Sequence, residues 1–221
     1  LSSIRSLVVS PFTRHYTSPT GVIRLEQSVG APPAEGWLWG VGMLANTGNN
    51  SIATNPSSHN YFWMFYVISG STNISTANGT MTASAGQALF LPASVNHTHI
   101  YSAQSQILAF QLHPANDPVG AIHQSTPLLV SGQPIALVPG TNYKIRIQEF
   151  TLLPGQQVAW DFTKNPAFIY VLEGSLTTFS GNNTPVTTSA GSASFLPTTG
   201  YSVGNLDQTK TVRFLLIDVH P

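Results

Sequence analysis

The chain has 221 residues, and its 8 Lys and Arg balance 8 Asp and Glu, so the formal charge is zero and charged residues make up only 7%. No basic run is present to grip a phosphate backbone, which argues against nucleic acid as a partner. With no cysteine, disulfides, thiolate metal sites and a Cys nucleophile are all excluded, and no apolar run reaches the roughly 18 residues of a membrane span.

Helical periodicity is nearly absent. Short runs rich in Val, Ile, Thr, Tyr and Phe, separated by Gly, Pro and Asn, predict an all-β chain. In chain order, Leu7-Val-Val-Ser and Ile23-Arg-Leu-Glu-Gln come first, followed by Trp37 and Trp39. The stretch Gly40 to Pro56, rich in Gly and Asn, reads as loop. Then come Phe65-Tyr-Val-Ile-Ser-Gly70-Ser, Ser84-Ala-Gly86-Gln-Ala-Leu-Phe-Leu-Pro92 and Phe110-Gln-Leu-His-Pro114.

Each of the last three returns. Ile169-Tyr-Val-Leu-Glu-Gly174-Ser, Ser189-Ala-Gly191-Ser-Ala-Ser-Phe-Leu-Pro197 and Ile217-Asp-Val-His-Pro221 stand 104, 105 and 107 residues further on. Three matched blocks in one order mark an internal duplication. Leu128-Leu-Val-Ser and Ile145-Arg-Ile-Gln-Glu match the first two blocks at an offset near 121, so the first copy is expected to carry an insertion of about 17 residues between Trp39 and His59. Loops that differ between matched copies are where function tends to be added. The expected division is residues 1–114, a linker over 115–127 marked by Asn116-Asp-Pro118 and Pro127, and residues 128–221. A repeated β unit of this size suits a jelly-roll barrel.

These blocks resemble the two motifs of the cupin superfamily, Gly-x5-His-x-His-x3-4-Glu-x6-Gly and Gly-x5-Pro-x-Gly-x2-His-x3-Asn, and the resemblance covers nearly the whole chain. In the second motif, copy 1 keeps Gly86, Pro92 and His97, with Ser94 at the small-residue position and Tyr101 for the final Asn. In the first, counting back from Gly70 puts Trp63 where the Glu belongs, His59 at the second His position and Ser57 at the first. The resemblance implies an all-β bicupin of two tandem jelly-roll barrels, in which two of the family's four metal positions survive, at His59 and His97. Strand alternation would turn Ser57, His59, Tyr61, Trp63 and Phe65 inward, facing His97, His99 and Tyr101. Copy 2 has Ala167 at the Glu position, no imidazole near Thr163 to Asn165 and Ser202 at the last His position, so its expected work is structural.

The site expected from this reading has His59 and His97 as general acid and base. Ser57, Tyr61, Trp63, Phe65, His99, Tyr101 and Trp39 form its substrate pocket, with Trp37 as a possible extension and the Trp63 indole supplying an apolar wall. No cofactor is expected, because the carboxylate of the usual ligand set is missing; a bound Fe, Mn, Cu or Zn would fall to His59 and His97, with His99 as a third imidazole. The leading expectation is an enzyme that cyclises, isomerises or eliminates an apolar or aromatic small molecule. The alternatives are a quercetinase-like metal-dependent dioxygenase and a non-catalytic ligand-binding or storage bicupin. His113 and His220 recur in both copies and read as structural, whereas His15 and His123 read as surface or linker residues. The sequons at Asn49, Asn73, Asn78, Asn96 and Asn182, with a start at Leu1, suggest a secreted glycoprotein. A homodimer through exposed strands is a further expectation.

Overall fold

A computed structural model of the chain describes residues 21–117, 125–160, 166–180, 184–196 and 200–221. The block at Leu7, the positions Thr163 to Asn165, and His15, His123 and Asn182 lie outside these residues.

Eighteen strands are described. The first nine are β1 (Gly21–Gly30), β2 (Trp37–Asn46), β3 (Ile52–Ala53), β4 (Trp63–Ser69), β5 (Ser71–Thr76), β6 (Gly79–Ser84), β7 (Ala88–Leu91), β8 (His97–Tyr101) and β9 (Ser105–Pro114). The second nine are β10 (Thr126–Val130), β11 (Tyr143–Leu152), β12 (Gln157–Trp160), β13 (Ala167–Glu173), β14 (Ser175–Ser180), β15 (Val186–Ser189), β16 (Ala193–Leu196), β17 (Tyr201–Gly204) and β18 (Val212–His220). They form two jelly-roll barrels, each a five-stranded sheet facing a four-stranded one. The N-terminal barrel has the orders β10-β2-β9-β4-β7 and β3-β8-β5-β6, and the C-terminal barrel repeats them as β1-β11-β18-β13-β16 and β12-β17-β14-β15. The duplication therefore holds strand for strand.

The two halves exchange their first strands. β1 pairs along its whole length with β11, and β10 pairs with β2, all antiparallel. This corrects two expectations. Ile23–Gln27 and Ile145–Glu149 are neighbours in one sheet rather than equivalents in two copies; the true counterpart of β11 is β2. With that register the supposed insertion disappears, since sixteen residues separate Asn46 from Trp63 and fourteen separate Leu152 from Ala167. Thr126 and Pro127, read as the end of a linker, already belong to β10.

Period-two alternation then builds three cores. The five-stranded sheets pack their outer faces against each other, burying Trp39, Met64, Tyr66 and Phe110 against Ile145, Phe168, Leu215 and Ile217. There the ring of Phe168 meets Trp39 edge-on at 5.0 Å and Phe110 at 6.0 Å. The alternate residues fill the barrels: Leu44, Trp63, Phe65, Ile74 and Tyr101 in the N-terminal one, and Phe150, Ile169, Val171, Tyr201 and Val203 in the C-terminal one. The turn from β4 to β5 is made by Gly70 at φ 71°, where a Cβ would lie 2.6 Å from Ser102 Oγ and 2.9 Å from Ser105 Cα. Gly174 repeats it at φ 78°, which is why this glycine is shared by the two sequence blocks.

One polar cluster ties the halves together. The Glu149 carboxylate on β11 accepts from Tyr66 Oη on β4 at 2.7 Å, from Arg24 Nε on β1 at 3.0 Å and from Arg213 Nε on β18 at 3.2 Å. Burial raises the Glu149 pKa, but the donors Arg213, Tyr66 and Arg24 outweigh it and hold the carboxyl below its ordinary value of 4.5. A depressed folded-state pKa supplies stability that is present above pH 4.5 and disappears as pH falls through the folded value. Glu149→Gln should therefore lower stability at neutral pH by roughly 2 kcal/mol and remove part of the acid-induced loss below pH 4.5, both read from urea melts across pH.

Candidate functional site

The N-terminal barrel encloses a cavity of about 360 Å³. Its floor is aromatic: Trp63 and Phe65 on β4 stack at 6.0 Å, and His99 and Tyr101 on β8 stack at 5.4 Å. Phe65 meets His99 edge-on at 5.0 Å, joining the two sheets across the barrel. Ser57 and His59 complete the predicted part of the lining.

Local backbone structure explains the placement. β8 alternates with His97, His99 and Tyr101 buried inside and Thr98 and Ile100 turned outward. The segment before β4 is stitched onto it by backbone bonds: Thr54 N donates to His99 O at 2.9 Å, and Ser57 N to His97 O at 2.9 Å. Ser94, at φ 61°, donates its N–H to His59 O at 2.7 Å, so the turn before β8 anchors the His59 backbone.

The three imidazoles form one cluster. His59 lies 5.0 Å from His97 and 5.3 Å from Trp63, and His97 lies 4.8 Å from His99, between ring centroids. His97 Nδ1 is 2.8 Å from Val95 O, and a carbonyl only accepts, so Nδ1 carries a proton. Its Nε2 and the Nδ1 of His99 are buried without a hydrogen-bond partner. Desolvation, with the nearby His97 and His59, pushes the His99 pKa down to about 3. Tyr101, buried beside it, is pushed well above the usual phenol range. At neutral pH the inner end of the cavity therefore presents an uncharged imidazole and an uncharged phenol.

No protein family matches the sequence, and no curated protein is similar to it. Solved structures match its shape. AerE from Microcystis aeruginosa superposes with a TM-score of 0.58 at 12% identity, over 90% of this chain and 99% of that one. An oxalate decarboxylase from Lactobacillus farciminis, in a formate complex, gives 0.58 at 13% identity over 94% and 88%. The Bacillus subtilis oxalate decarboxylase gives 0.54 at 14% over 94% and 79%. This chain has the bicupin fold.

Within this fold the metal set that the cupin resemblance implies does not fit the residues present. The four positions that the resemblance matches to metal ligands hold Ser57, His59, Trp63 and His97, the indole offers no lone pair to an ion, and among the described residues no carboxylate lines the cavity. Among the described residues no group of three or more His, Cys, Asp or Glu is arranged to hold an ion. Among the described residues the opposite barrel carries no imidazole at the matching points. Sheet pairing aligns His97 with Tyr201 and His99 with Val203, not with Ser202 as the sequence count has it, because Thr76 opposes His97 as Ser180 opposes Tyr201.

Two expected pocket residues lie elsewhere. Trp39 is fully buried in the core between the bicupin's barrels, as is Trp37 nearby, because odd-numbered residues of β2 face the other sheet. Tyr61 sits in a segment outside the strands, where alternation lapses, and donates to Asp117 Oδ2 at 2.7 Å. Conversely, Leu44, Thr54 and Ser58 line the cavity unannounced. Leu44 was missed because Gly40 to Pro56 reads as loop, whereas β2 runs on to Asn46 and β3 follows at Ile52; Thr54 and Ser58 carry no chemical signature.

His99 binds no proton in the fold until about pH 3, whereas an unfolded imidazole takes one near 6.5. The unfolded state thus binds more protons between these values, and stability should drop as the pH is lowered through that window. His99→Gln should flatten this dependence between pH 6.5 and 5, and the wild-type His99 resonance should show no inflection from pH 5 to 8 in an NMR titration.

Proposed function

We propose that the chain is a small-molecule enzyme that binds an apolar or aromatic substrate in its N-terminal barrel and cyclises, isomerises or eliminates it without the usual cupin metal. One observation carries this reading: the N-terminal barrel holds an aromatic-floored cavity with an imidazole cluster beside it. The corresponding residues of the other barrel, Ala167, Ile169, Tyr201 and Val203, are packed in an apolar core. A cavity of about 360 Å³ falls in the range of small-molecule sites.

His59 lines the cavity and is half-buried, so its imidazole meets both substrate and water. In this reading it removes a proton from the bound substrate. An isomerisation returns that proton at another carbon, and an elimination leaves it on the base while the leaving group takes the electron pair. His97, fixed in one tautomer by Val95 O, stands outside the cavity lining and in this reading orients the neighbouring His59 rather than touching the substrate. Trp63 and Phe65 supply a flat wall that restricts the substrate to a reactive conformer. Binding divides between the barrels as work and support: the C-terminal barrel covers the N-terminal one and leaves its cavity free.

A panel of phenolic, terpenoid and polyketide compounds screened for turnover tests this. His59→Ala and His97→Ala should each cost roughly 100-fold or more in turnover, and chelators should leave the wild type active. Near-stoichiometric metal by elemental analysis, lost in His97→Ala and needed for activity, would favour the dioxygenase reading instead. A secretory route is proposed as well. Asn49, Asn78 and Asn96 are exposed, and Asn73 points outward from β5, so endoglycosidase treatment of the protein from its natural source should lower its mass.

A further inference from the structure

We infer that the cavity is built for an uncharged ligand, a flat apolar or aromatic body whose hydroxyl or carbonyl oxygen is held between Nε2 of His99 and the hydroxyl of Tyr101. This rests on the reading above that the cavity is the substrate site, and it adds the chemical class that the site accepts.

Among the described residues the lining contains no Asp, Glu, Lys or Arg. Its polar atoms are hydroxyls of Ser57, Ser58, Thr54 and Tyr101 and the imidazoles of His59 and His99. An anion entering such a space would shed its water without meeting a cation, which is costly for a carboxylate. A neutral oxygen loses less and can be repaid by one hydrogen bond.

The two proposed contacts follow from what their neighbours leave free. His99 buries Nδ1 without a partner, while the ring lines the cavity, so Nε2 is the nitrogen that faces it. The Tyr101 hydroxyl has no hydrogen bond among the described residues and is not one of the sealed, unpartnered atoms. The rings are stacked at 5.4 Å with planes 15° apart, and they occupy successive inward positions of β8. Their polar edges therefore reach the cavity side by side, one always able to donate and one able to accept. The stacked faces of Trp63 and Phe65 opposite suit a flat ring. The size and the neutral lining together separate this site from one made for a small dicarboxylate.

Binding of three probes to the full chain at pH 8, where ordinary imidazoles are neutral, decides the matter by calorimetry: 2-naphthol, 2-naphthoate and oxalate. The expected result is that 2-naphthol binds at least tenfold more tightly than 2-naphthoate and that oxalate does not bind. Tyr101→Phe, which keeps the ring packing, should weaken 2-naphthol about tenfold while leaving naphthalene unchanged. Leu44→Phe, which fills the cavity from β2, should weaken both, with the thermal melt confirming the fold. Equal or tighter binding of 2-naphthoate or oxalate overturns the neutral-ligand inference but leaves the cavity as the binding site. If none of the probes binds, or if Leu44→Phe leaves their affinity unchanged, the cavity is not the site and both readings fall.

Discussion

Strand β1 leaves the half of the chain to which its sequence belongs and hydrogen-bonds along β11, while β10 makes the reverse journey to β2. Each five-stranded sheet is therefore completed by the other half, and neither barrel closes its sheet alone. The exchange also places the two five-stranded sheets back to back, with Trp39 and Phe110 of one meeting Phe168 of the other. A slip of one residue in any of these strands would turn one buried set into the space of another. Both faces are apolar, so register is specified twice over, once by the inter-barrel core and once by the barrel interior.

That double constraint is what makes an open cavity tolerable. β4 and β9 are held from outside by Met64, Tyr66, Leu108 and Phe110, so their inward residues need not fill the N-terminal barrel completely. Glu149 reinforces the same joint, gathering Tyr66 from one barrel and Arg24 and Arg213 from strands of the other. In the C-terminal barrel the same nine strands enclose a packed apolar core instead. The difference between a cavity and a filled core lies in side chains at matched positions, not in topology: Trp63 against Ala167, and His97 and His99 against Tyr201 and Val203.

The duplicated blocks were legible because they encode local turn chemistry: Gly70 and Gly174 make the same left-handed turn, and the strands on either side follow. The inward set His97, His99 and Tyr101 was legible from period two alone. Trp39 was misread because alternation separates two faces without saying which is the barrel interior when both are buried. The supposed insertion came from aligning β1 with β11, two adjacent strands that share an alternating pattern because they share a sheet. Tyr61 was lost where the chain leaves strand geometry. Glu149 had no visible partner, since its donors come from Arg24, Tyr66 and Arg213, which are brought to it only by the strand exchange and the barrel packing.

The polar atoms inside the N-terminal barrel give the last step. Trp63 Nε1, His97 Nε2 and His99 Nδ1 are each sealed from solvent without a hydrogen bond, and a buried donor or acceptor left unmade costs on the order of 1–3 kcal/mol. A barrel selected only for packing would replace them with apolar groups, as the other barrel does with Ala167 for Trp63 and Val203 for His99, while Tyr201 stands for His97. The cost falls on residues that line the cavity or touch its lining, where His99, Tyr101 and His59 stand together. Stability given up at the wall of a cavity, beside a duplicate barrel that is apolar at two of the three matched positions, is the kind of local inconsistency that supports the reading of the wall as a binding surface.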